Sequence, residues 1–555
     1  MFLQRLVEFY DRVEDDPEYG LPPRGCFQKK IGWICDLDKR ELVKLEKPEI
    51  MMVPSQLKTN GVTPGWLCDR LDYVFGVDIK ETPDRSTAAR HQAFLDFHRE
   101  QAKTSEQVAY MLAQLEKGIS MPELERPVQH SLVAFRLGNK YLHEIKELRD
   151  RPVFEDTTLP RGICLLTGKE DYIERVHGQM PAGTIPNGSS HGTRLVSFKN
   201  PAQRSWGKTQ GYNAGIGMAA AYKYPVMLTA LMSKPNLKDR HVKLLLDGTA
   251  AVFWSVPALD SVLSVWIDWR SRDEAVSAVI GGWAGELEHW TQSVEIAHEQ
   301  VSNIFGPPPA VVAVLRGSGA RSELVSYREG SIQDMFQKIK SYIRDLAPDD
   351  ARRCPSIRQL ACCAYFKYEP PSGLIQQMLE ASMSGGPWPR TWMNALVQRI
   401  QIQSAGEQDN PISPVQARAL RASLIRNQNL EVPVALDKDN NDVPYVLGRL
   451  FYMVERTQKA ADLQGIRRRW FAACSQRPAK SFPAILKLNI HHTGKIGNGL
   501  GHWFTEQIMQ LMDKLEHRFP DRLSTEETAR FMMGYYHERA EHYNTMKKKE
   551  SDEQN

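Results

Sequence analysis

Hydrophobic and polar positions divide the chain into two parts with different periodicity. Residues 1–355 mix short apolar runs of strand length with helical stretches, and Pro and Gly separate them. From residue 356 onward the apolar residues recur at the three-to-four-residue spacing of helices, and strand patterns vanish. We therefore expect an α+β fold, in which a mixed N-terminal α/β part with β-hairpins is followed by an all-α C-terminal helical bundle.

The N-terminal part carries the strand and hairpin signals. The pattern predicts strands at 30–35 and 50–53, helical structure at 87–117, a helix followed by a strand at 130–154, and an Ala-rich helix at 218–232. It also predicts one hairpin across Asp247-Gly248, between 242–246 and 250–254, and another around Gly317-Ser318-Gly319, between 310–315 and 323–327.

The C-terminal part reads as consecutive helices with short polar breaks. They are predicted at 356–366, 373–383, 391–403, 413–427, 444–463, 466–474, 481–492, 500–518 and 524–544. We expect an α+β domain over 1–355, a helical connector over 356–410, a self-sufficient bundle over 411–545, and a disordered tail over 546–555.

Composition places the chain among cytoplasmic proteins without a membrane segment. It has 555 residues, a formal net charge of +4 and eight cysteines, none of them in a C-x-x-C pair. The cysteines are therefore interpreted as reduced thiols. No apolar run approaches the roughly 18 to 20 residues that a membrane helix needs.

The charges are distributed unevenly, and residues 175–238 form a basic, Gly-rich insertion. These 64 residues contain no Asp or Glu, although about eight would be expected at the frequency of acids in the whole chain. Basic side chains without counter-charges suit phosphate backbones. The insertion is expected to be flexible and to bind opened DNA through Arg194, Lys199, Arg204 and Lys208, with Gln210 and Asn213 beside the first unpaired bases.

Two further segments are candidates for nucleic-acid contact. Residues 463–505 are also free of acids, and on helices their charges would form a stripe for binding a strand through its phosphates. The candidates there are Arg467, Arg468, Arg469, Arg477, Lys480, Lys487, His491 and Lys495. The polar turn at 54–61 offers hydrogen-bond donors that could read base edges of duplex DNA. Its candidates are Gln56, Lys58, Thr59 and Asn60, together with Lys29 and Lys30.

Motifs for catalysis are missing, and binding is favoured over chemistry. The sequence has no G-x-x-x-x-G-K-[ST], H-E-x-x-H or G-x-S-x-G, and we expect no cofactor, no metal and no enzymatic activity. A metal-dependent nuclease or RNA-processing enzyme that uses His491, His492 or His537 is the alternative. Adjacent histidines on a helix point about 100° apart, which hinders chelation of one ion. A scaffold that contacts only protein is a third interpretation.

An ordered set of motifs resembles a known family. The chain is similar to the large subunit of the type I-C CRISPR surveillance complex (Cascade), the Csd-one family, along nearly its whole length. The resemblance rests on 3–12, Lys30-Ile31-Gly32, 66–76, Ser197-Phe198, Pro201-Ala202, Gln210-Gly211, Asn213-Ala214, 247–254, 447–451, 482–486, His491-His492 and Gly534-Tyr535-Tyr536-His537.

The resemblance implies a role that composition alone does not supply. Such subunits recognise the protospacer-adjacent motif (PAM) in double-stranded DNA, assist duplex opening and R-loop formation, and hold the displaced strand. They also recruit a helicase-nuclease. The implied partners are crRNA, target double-stranded DNA, and the backbone, handle-processing and small subunits of Cascade. The region 411–545 resembles the separate small subunit.

Overall fold

The structure is a computed structural model, and it describes most of the chain. The described residues are 1–22, 25–54, 62–149, 159–204, 206–255, 260, 263–264, 266–268, 309–346, 354–407 and 410–554. The chain divides into two compact units. Unit 1 contains Met1–Thr184 and Ser189–Ser233, and unit 2 contains Ile185–Gly188 and Lys234–Asn555.

Unit 1 combines helices with a mixed sheet. Its helices are α1 (Phe2–Val13), α2 (Leu71–Val74), α3 (Thr87–Ala102), α4 (Glu106–Lys117), α5 (Lys146–Arg149) and α6 (Met218–Ser233). Its strands are β1 (Cys26–Asp36), β2 (Glu41–Pro54), β3 (Cys68–Arg70), β4 (Leu132–Leu137), β5 (Lys140–Tyr141), β6 (Arg161–Ile163) and β7 (Glu170–Tyr172).

The main sheet of unit 1 has the order β2-β1-β4-β3, with β5 paired to β4. β1 and β2 form a long antiparallel hairpin that contains both of the first two predicted strands, which confirms them. β4 lies parallel to β1 and antiparallel to β3, and its Val133, Ala134 and Phe135 are fully buried.

The prediction of a helix at the start of 130–154 is wrong, and the end of this range, 150–154, lies outside the described residues. The strand β4 comes first, and the short helix α5 follows it. A run that is buried on both faces has no alternation, so that periodicity cannot distinguish a central strand from a buried helix.

Unit 2 begins with a four-stranded antiparallel sheet. Its strands are β8 (Val242–Leu244), β9 (Ala250–Trp254), β10 (Ala310–Ser318) and β11 (Arg321–Gly330), in the order β11-β10-β9-β8. Both predicted hairpins are confirmed. In the first, Gly248 has a φ of 74°, and the Asp247 carboxylate accepts a hydrogen bond from the Thr249 hydroxyl at 2.6 Å. The left-handed backbone at Gly248 explains why glycine follows Asp247.

Helices make up most of the described part of unit 2, as predicted. They are α7 (Pro235–His241), α8 (Ile332–Leu346), α9 (Ile357–Cys363), α10 (Leu374–Ser384), α11 (Arg390–Ser404), α12 (Pro414–Gln428), α13 (Val443–Ala460), α14 (Ile466–Gln476), α15 (Pro478–Ile496), α16 (Asn498–Lys514) and α17 (Thr525–Gln554). The predicted α+β class, with an all-α C-terminal part, is confirmed.

One apolar core extends through unit 2 from Leu245 to Tyr535. α12 packs on α8 and α9 as well as on α17, and α11 packs on α14. The core therefore does not divide at residue 411, where the sequence suggested that a separate bundle begins. At the C-terminus, α17 continues through Gln554 and thus into the range 546–555, which was expected to be a disordered tail.

Candidate nucleic-acid interface

Two segments of the acid-free insertion, 199–203 and 208–213, form hydrogen-bonded turns in unit 1. The Gln203 side-chain oxygen accepts the backbone N–H groups of Lys199 (2.8 Å) and Asn200 (3.0 Å). The Asn213 amide donates to the backbone oxygens of Lys208 (3.3 Å) and Gln210 (3.0 Å). Because these bonds close local turns, the insertion has more internal structure than the flexible segment that was expected.

A close backbone approach joins the turn at Gln210 and Gly211 to the start of the insertion. The Gly211 N–H donates to the backbone oxygen of Arg175 at 2.8 Å, and the Arg175 guanidinium donates to the Gln210 side-chain oxygen at 2.7 Å. A Cβ at Gly211 would lie 2.6 Å from the backbone oxygens of both Glu174 and Arg175. Only glycine fits there, because a side chain would collide with the backbone that holds the loop.

We call residues 194–213 the basic loop; of these, Ser205 lies outside the described residues. Lys199, Arg204, Lys208 and Gln210 are exposed. In the part of unit 1 that the structure describes, none of the three cations has a carboxylate within ion-pair distance, so that their charges face solvent without compensation. This is the arrangement that attracts phosphate.

Arg194 and Asn213 have structural partners. The Arg194 Nε donates to the backbone oxygen of His177 at 3.2 Å, and the His177 Nδ1 lies 2.8 Å from the Tyr224 hydroxyl. Burial lowers the pKa of His177 to about 4, so that its ring is neutral near pH 7. Arg194 thus fixes the base of the basic loop, while its side chain keeps partial exposure.

Sequence reasoning missed one residue of this loop, Trp206. Its side chain is 96% exposed, although a large aromatic residue is usually buried for most of its surface. It stands between Arg204 and Lys208. The signal was available in the sequence, because it is an aromatic residue within an acid-free, basic, Gly-rich segment.

Unit 2 carries a second basic surface. Lys480, Lys487, His491 and Lys495 on α15 are all exposed, and at 100° per residue they fall within about 80° of the helix circumference. We call these four residues the basic helix face. Its cations have no described carboxylate within ion-pair distance.

The arginines of α14 divide between the surface and the interior. Arg468 and Arg469 are exposed, as is Arg477 beyond the helix end, and Arg468 lies 3.8 Å from Glu407. Arg467 differs from the other predicted phosphate ligands, because its side chain is 10% exposed and its Nε lies 3.8 Å from the buried Glu455. The structure therefore gives Arg467 a role within the helical core.

The two adjacent histidines of α15 diverge, as helical geometry predicts. His491 is exposed, whereas His492 is 7% exposed, and burial lowers the pKa of His492. His537 is 2% exposed and its Nδ1 lies 3.0 Å from the Tyr445 hydroxyl. Across the described residues, no three His, Cys, Asp or Glu side chains are grouped so as to hold a metal ion.

The duplex-reading candidates are only partly described. Gln56, Lys58, Thr59 and Asn60 lie outside the described residues. Lys29 and Lys30 are exposed on β1, opposite Met51 and Ile50 of β2. β2 ends at Pro54, which pairs with Cys26 at the end of the hairpin nearest to these two lysines.

The comparison with protein families decides what kind of protein carries these surfaces. A model of the family described as CRISPR-associated protein (Cas_Csd1) matches residues 6–543. The chain belongs to this family. The match confirms the resemblance to the type I-C Cascade large subunit, and it spans both units and both basic surfaces. A search of curated proteins finds no match.

Membership of this family makes the chain a CRISPR-associated Cascade protein. In the ranges that the structure describes, no helix is both long enough and apolar enough to cross a bilayer.

Proposed function

We propose that this chain is the DNA-recognising large subunit of a type I-C Cascade, with no catalytic activity of its own. In this role it recognises the PAM in double-stranded DNA, assists opening of the duplex, and stabilises the displaced non-target strand in the R-loop. It also recruits the helicase-nuclease that degrades the target, and it assembles with crRNA and the other Cascade subunits. Sequence specificity beyond the PAM comes from guide pairing.

One observation carries the proposal: the exposed cations of the basic loop lack compensating carboxylates within a 64-residue segment that has no acid. Surface lysines and arginines normally stand among acids, because neighbouring like charges repel one another. Three other exposed lysines of unit 1 illustrate this. Lys39, Lys44 and Lys103 lie 3.7, 3.6 and 2.7 Å from Glu41, Glu125 and Glu100.

The two basic surfaces suit different parts of the opened target. The basic loop contains turns and glycines that permit close approach of a nucleic-acid backbone, and we assign it to the DNA where the duplex opens. The basic helix face places three lysines and His491 within about 80° of the circumference of α15, which suits the phosphates of the displaced strand. Lys29 and Lys30, with Gln56, Lys58, Thr59 and Asn60, are assigned to the PAM duplex.

The salt dependence of DNA binding tests the proposal. Each phosphate contact adds about 0.9 to the slope of log affinity against log salt on duplex DNA, and about 0.7 on a single strand. The triple variant Lys199→Ala, Arg204→Ala, Lys208→Ala, assembled into Cascade, should bind PAM-containing target more weakly, with a slope smaller by about two to three. The matched control, Lys39→Ala, Lys44→Ala, Lys103→Ala, removes the same charge and should leave the slope unchanged. Equal slopes for the two variants would contradict the assignment.

A separate assay addresses catalysis. The purified chain is incubated with labelled DNA and with crRNA precursor in Mg²⁺ and in Mn²⁺. We expect no cleavage, and cleavage that the variants His491→Ala or His537→Ala abolish would favour the nuclease or RNA-processing alternative.

A further inference from the structure

The basic loop presents a side chain that neither charge nor packing explains. Trp206 is 96% exposed, whereas Trp33, Trp66 and Trp388 are at most 2% exposed. Trp503, at 36%, is packed beneath the Arg456 guanidinium, 4.9 Å from its ring centroid. Among the described tryptophans, Trp206 alone keeps both faces of its indole in solvent.

The backbone holds this exposure at a conformational cost. Trp206 has a φ of 53° and Gly207 a φ of 72°, so that both adopt left-handed conformations. Glycine adopts this region readily, but a bulky residue does so rarely. A glycine or an asparagine at position 206 would satisfy the same turn at lower cost and would expose no apolar surface, so the turn itself does not require the indole.

The surroundings identify the chemistry of a partner for the indole. Lys199, Arg204 and Lys208 lie near Trp206 in the sequence, are exposed, and have no described carboxylate partner. Their uncompensated positive charges favour a partner that carries negative charge. A planar apolar ring beside cations is the combination that binds an unpaired nucleotide, because the base stacks on the ring while the cations neutralise its phosphates.

The polar residues that the sequence suggested for this contact have other partners. The Gln210 side-chain oxygen accepts a hydrogen bond from Arg175, and the Asn213 amide donates to two backbone oxygens of the loop. Trp206 forms no such internal contact and is available to a ligand.

We propose that Trp206 is a stacking platform for an unpaired base of the opened target DNA. The proposal rests on the proposed function, since it names the nucleotide contact of the same loop. In this proposal the loop cations attract the DNA electrostatically, and the indole adds one aromatic contact. By stacking on one face of an unpaired base, the indole stabilises the opened state.

Fluorescence of 2-aminopurine tests this contact in the assembled complex. The probe is placed at successive PAM-proximal positions of a target, once in fully paired DNA and once in DNA with a mismatched bubble there. Wild-type complex should quench the probe at one position through stacking. Trp206→Ala should abolish that quenching and weaken binding to paired target by roughly 5- to 150-fold, the range that corresponds to loss of one base–aromatic stack. Trp206→Phe should retain part of both effects, and Trp206→Leu should retain neither.

The controls separate the stacking contact from the wider function. Because the indole is exposed, Trp206→Ala should leave the melting temperature and the assembly of Cascade unchanged. If Trp206→Ala binds and quenches like wild type while the triple cation variant binds weakly, stacking is overturned and the proposed function stands. If neither variant changes binding, both proposals fail. If Trp206→Ala prevents assembly, or if Trp206→Leu matches wild type, the indole contacts a protein instead, which also overturns the proposal.

Discussion

His537 illustrates how burial determines the chemistry of a single residue in unit 2. It is 2% exposed, and its Nδ1 lies 3.0 Å from the Tyr445 hydroxyl. Burial, assisted by the positive charge of Arg421, lowers the pKa of His537 from 6.5 to about 4. The ring is therefore neutral in the folded protein over a pH range in which the unfolded chain binds a proton.

This difference predicts a contribution of His537 to acid sensitivity. A folded-state pKa below the unfolded value gives stability that is complete above pH 6.5 and is lost as the pH falls towards 4. At pH 5 the loss from this residue amounts to about 2 kcal/mol. Urea unfolding of wild type and of His537→Asn at pH 7 and pH 5 should show a smaller loss on acidification in the variant.

The matched control for that measurement is the exposed His491. The variant His491→Asn should lose as much stability between pH 7 and pH 5 as wild type does. An equal loss in His537→Asn and in wild type would contradict the buried, neutral state of His537.

The site residues show what sequence can and cannot establish at this scale. The absence of acids from 175–238 and 463–505 is visible in the sequence, and most of the predicted cations there are exposed. Exposure of each residue depends on helix orientation, however. Arg467 and Arg468 are adjacent and chemically identical, but a rotation of about 100° places one beside Glu455 and the other in solvent.

At the scale of elements, two glycines allow a close helix crossing in unit 2. A Cβ at Gly448 of α13 would lie 1.9 Å from the backbone oxygen of Phe531 in α17. A Cβ at Gly534 of α17 would lie 2.0 Å from the backbone oxygen of Tyr445 in α13. The two helices thus approach each other through backbone atoms, and Tyr535 can donate to the buried Glu455 at 2.7 Å.

This crossing predicts that Gly448→Ala destabilises the protein. An alanine favours the helix by about 1 kcal/mol over glycine, but overpacking against rigid backbone typically costs about 1–3 kcal/mol, occasionally more. With an approach as short as 1.9 Å, we expect the clash to prevail, with a lower midpoint of urea unfolding.

Gly494 provides the control, because it lies inside α15 and no atom would come within 4 Å of a Cβ there. Gly494→Ala should leave stability unchanged or raise it by up to about 1 kcal/mol. If both alanine variants proved equally stable, the close crossing would be refuted.

Helix positions were predictable because amphipathic periodicity repeats over several turns, and α13 confirms this through its buried Leu447, Leu450, Phe451 and Val454. The crossing at Gly448 was not predictable, because a glycine within a helix gives no sequence pattern that identifies the helix packed against it. The helix predicted at the start of 130–154 failed for a related reason, since the central strand β4 found there is buried on both faces.

At the scale of the whole molecule, the packing of unit 2 bears on the fragment 411–555. Its core is continuous from Leu245 to Tyr535. Polar contacts also cross residue 411: Arg426 forms an ion pair with Asp345, and the Gln416 amide donates to the backbone oxygen of Cys363 at 3.1 Å. Sequence periodicity identified the apolar faces of these helices but not the neighbours that cover them.

We therefore expect that 411–555, expressed alone, is much less stable than 234–555. Its removal from the rest of unit 2 uncovers the side of α12 that packs on α8 and α9 and the side of α14 that packs on α11. Leaving a few apolar side chains in water costs about 1.5–3 kcal/mol each. Together this is a large share of the roughly 5–15 kcal/mol that stabilises a domain.

Circular dichroism should record a cooperative melt for 234–555, and for 411–555 a transition that is broad or has a lower midpoint temperature. A cooperative melt of the short fragment at the temperature of the longer one would instead establish 411–555 as an independent bundle. Low-salt binding of that fragment to DNA would then test whether the basic helix face acts without the rest of the chain.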